Sequence, residues 1–405
     1  MHIRNQPPLH LTYCLNVHPG ETWAENLAAI RTAALAVRDR VSADRPFGLG
    51  LRLSQAAVET LGDPTQLHDF RAFLADNGLY AFTINGFPYG AFHGRAVKDN
   101  VYRPDWSTPE RRDYTLQLAR VLTSLLPEGA DGSISTLPLS YKLWPASPER
   151  MGQILINLAD TVAELHRLHE RSGKEIHVGL EPEPDCTLET TDEVIRFFEG
   201  PLATEGAARL MAQLGCSRPE AEGLIRRHLG ICFDTCHLAL QFEPLAASLN
   251  RLHRHGIRLS KIQLSSALET HPTGIARRQL ADFSDPVYLH QVKALDTTDR
   301  TLSGFPDLPA ALSSPDATAS ALWRVHFHVP LYFENYGELH STARSLDNDF
   351  WEHLVRLPVS HLEIETYTFH VLPPALQAGG AAASIVREFE WVRPRLQAAL
   401  QRNDG

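Results

Sequence analysis

The sequence has little cysteine, and the cysteines it has are an odd and scattered set. Of 405 residues, five are cysteine: Cys14, Cys186, Cys216, Cys232 and Cys236. A disulfide framework is typical of short secreted chains with paired cysteines, so this composition argues against one. Three residues separate Cys232 from Cys236, which is not the close C-x-x-C pairing of a zinc ribbon. We therefore expect the cysteines to be small apolar residues inside the fold.

The sequence also lacks an excess of positive charge and a long apolar run. Lys and Arg number 38 against 48 Asp and Glu, so the net charge of −10 offers no footprint for nucleic acid or an anionic membrane. No apolar run approaches the roughly 18 residues that a membrane helix needs. The first residues have no apolar segment typical of a secretion signal. These absences predict a cytoplasmic protein without a nucleic-acid partner and without membrane insertion.

Short apolar segments alternate with longer helical patterns along the chain. The predicted strands are 9–17, 47–53, 79–85, 132–139, 176–182, 230–236, 259–264 and 361–369. The predicted helices are 22–41, 64–77, 109–126, 148–172, 190–200, 243–255 and 383–401. The strands are apolar at nearly every position, which indicates burial on both faces. Eight strand–helix units predict an α/β fold, a (β/α)8 TIM barrel. The alternative, a doubly wound open sheet, is disfavoured because no Gly-rich phosphate loop follows the first strand.

Two segments exceed the plan of a simple barrel. Residues 201–229 are predicted to form an extra helical pair between strands five and six. Residues 265–322 are rich in Pro, Ser and Ala and are predicted to be mostly loop, apart from 287–295. A long connection of this kind is usually a lid or another functional loop. Neither segment suggests an independent domain, so we predict one domain over residues 1–405 with insertions.

Three carboxylates end predicted strands, where the reactive side chains of such barrels lie. Glu181 ends strand five, Asp234 ends strand six and Glu365 ends strand eight. An isolated carboxylate in a buried strand is costly without a partner. Three of them meeting at one barrel mouth would repel one another unless protons or a cation intervened. A divalent metal ion is the simplest solution, so we predict that all three are metal ligands.

Other side chains offer further metal-ligating atoms at the same end of the barrel. Gln263 ends strand seven, and its carbonyl suits either a hard cation or a substrate hydrogen bond. His237 follows the strand-six aspartate by three residues, as a ligand or substrate contact or as a buried core histidine. His326 and His328 alternate in WRVHFHVP and point to one side if that segment is extended, so we predict both as metal ligands. His290 is a weaker candidate.

Polar residues also follow the first four predicted strands. They are Asn16, His18, Arg52, Asn85, His93, Lys98, Tyr141 and Lys142. Aromatic surfaces with a few convergent polar groups suit a small polyol or sugar-like ligand. Arg52, Lys98 and Lys142 carry charges that can neutralise a carboxylate or phosphate on that ligand. We predict substrate binding by Asn16, His18, Arg52, Asn85, His93 and Lys142. The Gly- and aromatic-rich loop 85–94 is equally compatible with a packed lid.

The order of these motifs resembles the xylose isomerase-like (AP endonuclease family 2) superfamily of metal-dependent barrels. The motifs are Glu181, Asp234-x-x-His237, Gln263, His326-x-His328 and Glu365. In the sugar epimerase members of that superfamily, Glu, Asp, His and Glu from strands five to eight bind one divalent ion. The resemblance implies such an ion here, with Mn, Zn, Co and Fe as candidates. Gln263 stands in place of the histidine, and Arg52 and Asn85 replace the histidines of the AP endonuclease branch, so a trinuclear zinc site is not expected.

A second resemblance covers nearly the whole chain. The segments TYCLNVHPGETW, TINGFPYGAFHG, VYRPDW, STLPLSYK, GLEPEPDC, GICFDTCHLA and HFHVP are similar to the EboE family of metabolite-traffic proteins. That family is encoded beside a prenyltransferase-like membrane protein and other enzyme-like proteins. The resemblance implies a role in moving precursor metabolites, with other Ebo-cluster proteins as partners, but it does not define a reaction.

Three functional hypotheses follow. The first is an isomerase or epimerase acting on a small hydroxycarbonyl or cyclitol-like metabolite. In it, Glu181 and Glu365 remove and return a proton through an enediolate, and His237 orients a substrate oxygen. The second is a binding or carrier protein without catalysis, which the Gln263 departure favours. The third is a metal-dependent hydrolase that uses Asp234 and the histidines.

Overall fold

The structure is a computed structural model. It describes residues 1–93, 97–314 and 321–404. Two parts of the predicted features lie outside the described residues. They are Gly94, at the end of the aromatic loop, and residues 315–320 of the predicted long loop.

The strands and helices of these described ranges are numbered in chain order. The strands are β1 (His2–Asn5), β2 (Pro8–Tyr13), β3 (Phe47–Arg52), β4 (Leu79–Asn85), β5 (Gly132–Thr136), β6 (Ile176–Leu180), β7 (Leu229–Asp234), β8 (Arg258–Leu264), β9 (Leu268–Thr270), β10 (Val292–Asp296), β11 (Leu302–Phe305), β12 (Ala321–Val325), β13 (Asn335–Tyr336), β14 (Leu339–Ser341) and β15 (His361–Ile364). The helices are α1 (Trp23–Ala29), α2 (Leu35–Val41), α3 (Gln55–Leu61), α4 (Pro64–Asp76), α5 (Pro109–Leu125), α6 (Pro148–Ser172), α7 (Thr191–Phe197), α8 (Ala207–Leu214), α9 (Arg218–His228), α10 (Thr235–Leu240), α11 (Leu245–Arg254), α12 (Gly274–Ala281), α13 (Leu308–Ser313), α14 (Asn348–Arg356) and α15 (Gly380–Asp404).

Parallel strands form a closed barrel. Their order is β2-β15-β8-β7-β6-β5-β4-β3, and every neighbouring pair in it is parallel. A parallel bridge between Cys14 and Gly50 joins β2 to β3 and closes the ring. A Cβ atom on Gly50 would lie 2.8 Å from the Tyr13 carbonyl oxygen, so glycine permits this close approach. The eight strands are the eight predicted from the sequence. The (β/α)8 barrel is therefore confirmed, and the open sheet is excluded.

The predicted helices surround this barrel. In α6, the Ser147 side chain accepts a hydrogen bond from the Arg150 backbone N–H, Pro148 occupies the first turn, and Gly173 ends the helix at φ 69°. The helices α8 and α9 confirm the predicted helical pair within 201–229. Three short helices that follow barrel strands or the second sheet, α3, α10 and α14, were not predicted. Among the described helices, none has both the length and the apolar character needed to cross a membrane.

The prediction that residues 265–322 are mostly loop is wrong. This segment contributes β9, β10, β11 and the start of β12 to a second, antiparallel sheet in the order β11-β10-β12-β9-β14-β13. It also forms α12 and α13. The sheet is completed by β14, which lies outside the predicted segment and pairs with β9. Such short strands have no periodicity of their own, and only pairing with distant residues stabilises them.

An ion pair occupies the interior of the barrel below its mouth. Lys261 Nζ lies 2.5 Å from Glu363 Oε2, and both side chains are fully buried. The attraction of Glu363 outweighs burial and raises the pKa of Lys261. Because side chains alternate along a strand, Glu363 and Glu365 project to the same face of β15. The pair therefore lies directly beneath the end of the barrel that carries the predicted site.

Candidate metal centre

The three predicted carboxylates meet at the C-terminal end of the barrel. One oxygen atom each of Glu181, Asp234 and Glu365 lies within 4.8 Å of the others. The residues are 3%, 0% and 3% exposed. Within the described residues, neither lysine nor arginine forms an ion pair with any of them; the rings of His237 and His328 lie within 4.0 Å of them. This is the convergence that the strand ends predict.

Backbone N–H groups hold one carboxylate oxygen of Asp234, and the other oxygen has no hydrogen-bond partner. Its Oδ1 accepts hydrogen bonds from the backbone N–H groups of Cys236 (2.7 Å) and His237 (3.1 Å), because Asp234 caps the start of α10. The Ser265 hydroxyl donates a third hydrogen bond at 2.6 Å. The other oxygen, Oδ2, is buried and has no hydrogen-bond partner.

Glu365 is held in a similar way by two side-chain amides. Its Oε1 accepts hydrogen bonds from Asn16 Nδ2 (2.8 Å) and Asn85 Nδ2 (2.9 Å). Asn16 follows β2, the direct neighbour of β15, and Asn85 ends β4. Glu181 also carries a buried oxygen, Oε2, without a hydrogen-bond partner. A buried carboxylate oxygen without a partner is costly, so the oxygens of Asp234 and Glu181 are suited to bind a cation between the carboxylates.

The charges of this cluster are not balanced by the protein. Burial and the nearby Asp234 raise the pKa of Glu181 well above its ordinary value. Burial, Glu181 and Asp234 do the same for the pKa of Glu365. Burial opposes ionisation of Asp234, but His237 and His328 outweigh it and lower the pKa of that carboxyl. The cluster therefore takes up protons unless a cation neutralises it.

Three histidines adjoin the carboxylates, and each uses Nδ1 to bond a carbonyl oxygen. The bonds are His237 Nδ1 to Pro182 O (3.0 Å), His326 Nδ1 to Gln291 Oε1 (2.7 Å) and His328 Nδ1 to Glu365 O (3.0 Å). A carbonyl oxygen only accepts, so these partners assign the proton to Nδ1 and a lone pair to Nε2. Burial lowers the pKa of His237 to about 4 and also lowers that of His328, which keeps both rings neutral near pH 7.

The free Nε2 atoms point into the site. Those of His237 and His328 lie 3.3 Å apart, so two lone pairs face each other. The Nε2 atom of His326 is buried and has no partner. A histidine that is fixed through Nδ1 and presents Nε2 is in the usual state of a metal ligand. A cation relieves both the carboxylate repulsion and the facing lone pairs, so these residues fit a divalent metal ion.

The ligating atoms form overlapping sets. Asp234 belongs to the carboxylate set and also to a set with His237 and His328. Further sets are Glu183 with His237 and His326, and Cys236 with His326 and His328. Sequence analysis missed Glu183, although it lies two residues after Glu181 and so projects to the same side of an extended segment. Burial and Glu181 raise the pKa of Glu183, and Tyr102 donates a hydrogen bond to its Oε1 (3.3 Å).

Gln263 lies beside the site with its carbonyl engaged elsewhere. It is paired in register with Asp234 on β7 and with Glu363 on β15. Its Oε1 accepts a hydrogen bond from the Cys232 thiol (3.0 Å), and its Nε2 is buried without a partner. The role of Gln263 as a metal ligand stays a prediction.

A cleft opens above the carboxylates. Its empty volume is about 510 Å³, part of it open to solvent, and Glu181, Glu183 and Glu365 lie at its inner end. The predicted residues Asn16, Asn85, His237 and His326 also line it. Tyr288 and Leu289, from the insertion 265–322, line its outer part. Part of the insertion therefore contributes to the wall of the cleft.

Four of the predicted substrate-binding residues do not line the cleft: His18, Arg52, Lys142 and His93. His18 Nε2 is hydrogen-bonded to the Tyr13 hydroxyl (2.9 Å). The buried guanidinium of Arg52 pairs with Glu21 (2.6 Å) and donates to the carbonyls of Gly20 and Gly90. The ammonium of Lys142 pairs with Glu189 (2.6 Å) and Glu193 (2.8 Å) and lines a separate surface groove. Local acidic residues satisfy both cations, which leaves neither charge for a ligand.

Two predicted residues, His93 and His290, form hydrogen bonds to the backbone of residues in the site. His93 Nε2 is hydrogen-bonded to the backbone carbonyl of Asn16 (2.7 Å), so it positions the residue that holds Glu365. His290 Nδ1 is hydrogen-bonded to the carbonyl of His326 (2.8 Å), and its Nε2 contacts Asp285. Neither ring lines the cleft.

Comparison with known proteins gives only distant likenesses. No family model matches the chain, and no curated protein matches it. Among solved structures, a xylose isomerase domain protein from Alicyclobacillus acidocaldarius subsp. acidocaldarius is 13% identical, with 96% of this chain and 99% of that chain covered and a TM-score of 0.48. A D-tagatose 3-epimerase-like protein is 11% identical (97% and 99% covered, TM-score 0.48). An IolI protein with a bound zinc atom is 12% identical (96% and 99% covered, TM-score 0.47). Since these TM-scores lie below 0.5, the fold assignment rests on the strand order and the site on its own geometry.

Proposed function

We propose that the chain is a metal-dependent enzyme that transfers a proton between carbons of a small hydroxycarbonyl or polyol metabolite, an isomerase or epimerase. One observation carries the proposal. Three buried carboxylates lie within 4.8 Å of one another, two of their oxygens have no partner, and no lysine or arginine of the described chain pairs with them. A fold that buries such a cluster pays a cost in stability, and a function that uses the cluster explains it.

The residues that would hold the ion are Glu181, Asp234 and Glu365, with the Nε2 atoms of His237 and His328 adjacent. A bound divalent cation supplies Lewis-acid polarisation of a substrate carbonyl and fixes adjacent substrate oxygens. The hydrogen bonds to Asp234 Oδ1 and to Glu365 Oε1 keep each carboxylate in one orientation, which leaves the second oxygen of each for the ion.

Two carboxylates are placed to move a proton. Glu181 follows β6 and Glu365 follows β15, and β7 and β8 separate these strands. The two groups therefore approach the same space from different sides. One can accept a proton from a substrate carbon and the other can return it, which is what isomerisation or epimerisation requires. The neutral His237 ring presents Nε2 as an acceptor for a substrate hydroxyl.

We also propose a pathway and partners for this enzyme. The similarity of several segments to the EboE family supports a metabolite-traffic pathway, with other Ebo-cluster proteins as partners. The support for this pathway is that several similar segments occur together and in order along the chain. The cleft opens from these carboxylates towards solvent, which gives a small metabolite a route to them.

Hydrolysis is the second candidate, and the histidines favour it. The neutral rings of His237 and His328 form a set of possible ligands with Asp234, and two histidines with one carboxylate are typical of catalytic zinc. In a hydrolase, these residues activate water and leave the substrate C–H bonds untouched. The two reactions are therefore separable by isotope incorporation.

Metal binding tests the ligand set. We expect chelator-treated protein to bind Mn²⁺, Co²⁺ or Zn²⁺ in calorimetric titration, and Glu365→Gln to weaken binding about 100-fold because it removes a charged ligand. Glu128→Gln, whose side chain is 97% exposed, is the matched control and retains wild-type affinity. Wild-type affinity in Glu365→Gln would contradict the proposal. Failure of the wild-type protein to bind any of these ions would favour the carrier.

Isotope exchange tests the reaction. We expect a panel of hydroxyketones and cyclitol ketones, incubated with metal-loaded protein in D2O, to include a compound that gains deuterium at the carbon beside its carbonyl, detected by NMR. Glu365→Gln should lose this exchange, and Glu128→Gln should keep it. Cleavage of a panel compound without deuterium at carbon would indicate hydrolysis instead.

A further inference from the structure

A hydrogen-bonded network beside the metal centre links Glu183 to His326. Its middle member is Gln291, which directly precedes β10 and is fully buried. Gln291 Oε1 accepts a hydrogen bond from His326 Nδ1 (2.7 Å). Gln291 Nε2 donates to the Tyr102 hydroxyl (3.0 Å) and to the Pro184 carbonyl (3.2 Å). The Tyr102 hydroxyl in turn donates to Glu183 Oε1 (3.3 Å), so the network joins a histidine and a carboxylate that both line the cleft.

The protons of this network are all used within it. The Pro184 carbonyl only accepts, which assigns the facing group of Gln291 as the amide nitrogen. Gln291 Oε1 then takes the Nδ1 proton of His326, and a lone pair remains on His326 Nε2. That nitrogen is buried and has no hydrogen-bond partner. The network therefore presents acceptors to the cleft and keeps its donors for itself.

Glu183 and His326, which we call the acceptor pair, are close neighbours. One side-chain atom each of Glu183, His237 and His326 lies within 4.8 Å of the others. His237 Nδ1 lies 3.2 Å from Glu183 Oε2, but its proton is donated to the Pro182 carbonyl, and its Nε2 faces His328 at the metal centre. In the described part of the chain, neither lysine nor arginine pairs with Glu183. An occupant of this position therefore has to bring both hydrogens and positive charge.

An ammonium group fits the acceptor pair better than a second divalent ion does. A catalytic zinc ion has three protein ligands, and here Glu183 and His326 are the two groups with a lone pair to spare. An ammonium group forms charge-assisted hydrogen bonds of about 2.8 Å, so acceptors up to 4.8 Å apart can reach the same nitrogen. Its positive charge also balances a carboxylate that the described chain leaves without a cation.

We propose that the substrate carries an amino group, which binds as an ammonium between Glu183 and His326 while its hydroxycarbonyl or polyol part lies at the metal centre. The hydroxycarbonyl or polyol part rests on the proposed function, whereas the amino group rests on the acceptor pair. The two positions are adjacent, because Glu183 follows Glu181 by two residues and both line the cleft. The substrate class is thus an amino-substituted hydroxyketone, sugar or cyclitol.

Ligand pairs that differ only by an amine in place of a hydroxyl test this inference. The pairs are 3-amino-1,2-propanediol and glycerol, D-glucosamine and D-glucose, and scyllo-inosamine and scyllo-inositol. For the full-length protein loaded with Mn²⁺ at pH 7, we expect the amine of at least one pair to bind about tenfold more tightly in calorimetry, because its hydrogen bonds are charge-assisted. The N-acetyl derivative of that amine carries no charge and should lose the preference. Amines that bind no more tightly than their partners in all three pairs would overturn the inference.

The variant Glu183→Gln locates the amino group. It keeps the size of the side chain and removes its charge, so the two members of the preferred pair should bind within about twofold of each other. Glu128→Gln, whose side chain is 97% exposed, is the matched control and keeps the wild-type preference. Circular dichroism confirms that each variant is folded. An undiminished preference in folded Glu183→Gln would overturn the inference, because the amino group would then bind elsewhere.

Metal stoichiometry separates the ammonium from a second ion. We expect one Mn²⁺ per chain in both the wild type and Glu183→Gln, because Glu183 is not one of the three carboxylates of the metal centre. Two ions in the wild type and one in Glu183→Gln would assign the acceptor pair to a metal and overturn the inference.

The two proposals fail separately. If Glu365→Gln loses metal binding and no amine is preferred, the amino-substituted substrate is wrong and the metal centre stands. If Glu365→Gln binds metal like the wild-type protein, the metal centre is wrong, whichever member of each pair binds more tightly.

Discussion

The two ends of the barrel both hold carboxylates, buried at the C-terminal end and 19% exposed for Asp131 at the N-terminal end, but they differ in what surrounds them. At the N-terminal end, Asp131 lies 2.9 Å from Arg258 Nη2 and 3.0 Å from His177 Nε2, with His361 Nε2 at 3.4 Å. Burial opposes ionisation of Asp131, yet His361 and His177 hold its pKa well below the ordinary value. At the C-terminal end, Glu181 and Glu365 have no such cations, and burial raises their pKa.

This difference between the two ends distinguishes charged groups that maintain the fold from charged groups that serve the function. Where the chain itself pairs a carboxylate, removing one partner destabilises the fold, and Asp131 and the interior pair Lys261–Glu363 are of this kind. A buried carboxylate that the chain leaves unpaired lowers the stability of the metal-free protein, and a ligand from outside is needed to balance it. The mouth is therefore the end where activity is expected, and the opposite end maintains the barrel.

The largest expected effect is at the N-terminal end. Asp131→Asn leaves Arg258 and two histidines without their shared anion, so we expect the free energy of unfolding in urea to fall by about 4 kcal/mol. The control Asp39→Asn, whose side chain is 63% exposed beside Arg38, should stay within about 0.5 kcal/mol of the wild type. Equal stabilities for the two variants would remove the contrast between the barrel ends.

The carboxyl group of Glu388 is buried and belongs to neither end of the barrel. It extends the comparison to the pH dependence of the free energy of unfolding. Glu388 accepts hydrogen bonds from Thr366 Oγ1 (2.7 Å) and Leu331 N (3.1 Å), and burial raises its pKa from 4.5 to about 7. The folded state then keeps a proton that the unfolded chain releases, so the free energy of unfolding falls as pH rises from about 4.5 to 7. The loss amounts to about 3 kcal/mol and persists above pH 7.

Glu388→Gln should remove this dependence. Urea unfolding of the wild type and the variant between pH 4.5 and 8 gives two curves, and their difference isolates Glu388 from the other raised carboxyls. A difference that is constant with pH would contradict the raised pKa.

At the mouth, the same kind of substitution should have the opposite sign to that at Asp131. Glu181→Gln removes one of the crowded carboxylates, so we expect the metal-free protein to become more stable by about 1 kcal/mol at pH 8. Added Mn²⁺ or Zn²⁺ should raise the melting temperature of the wild type, since binding stabilises the folded state, and leave that of the variant unchanged. Destabilisation of the metal-free protein would indicate that Glu181 is structural.

The smallest expected effect concerns a cation beside the mouth. Lys142→Ala breaks a partly exposed pairing with Glu189 and Glu193, so the free energy of unfolding should change by less than about 1 kcal/mol. Deuterium exchange into the hydroxyketones and cyclitol ketones should not change. A marked loss of exchange would restore the substrate-binding role that the sequence predicts for Lys142.

Sequence reasoning located the strands and the carboxylates better than the long polar side chains. Parallel strands end on one side of a sheet, so Glu181, Asp234 and Glu365 had to converge once the strands were known. Nothing in the sequence showed that Arg52 pairs with Glu21, because loops choose the partners of long flexible side chains. The second sheet was missed for a related reason: β9 has three residues, and its partners lie 50 or more positions further along the chain.

The sequence by itself determined the barrel and the gathering of acidic side chains, because local periodicity sets the strands and parallel order sets which ends meet. Only the tertiary structure decided the fine state of the site. The hydrogen bond from Asn16 to Glu365 spans 349 positions, and the carbonyl partners that fix the protons on His237, His326 and His328 come from separate segments. The hydrophobic cluster of Phe92, Val97 and Tyr288 likewise forms only where two distant segments touch. Such contacts depend on which residues are close in space, and separation along the chain does not predict that.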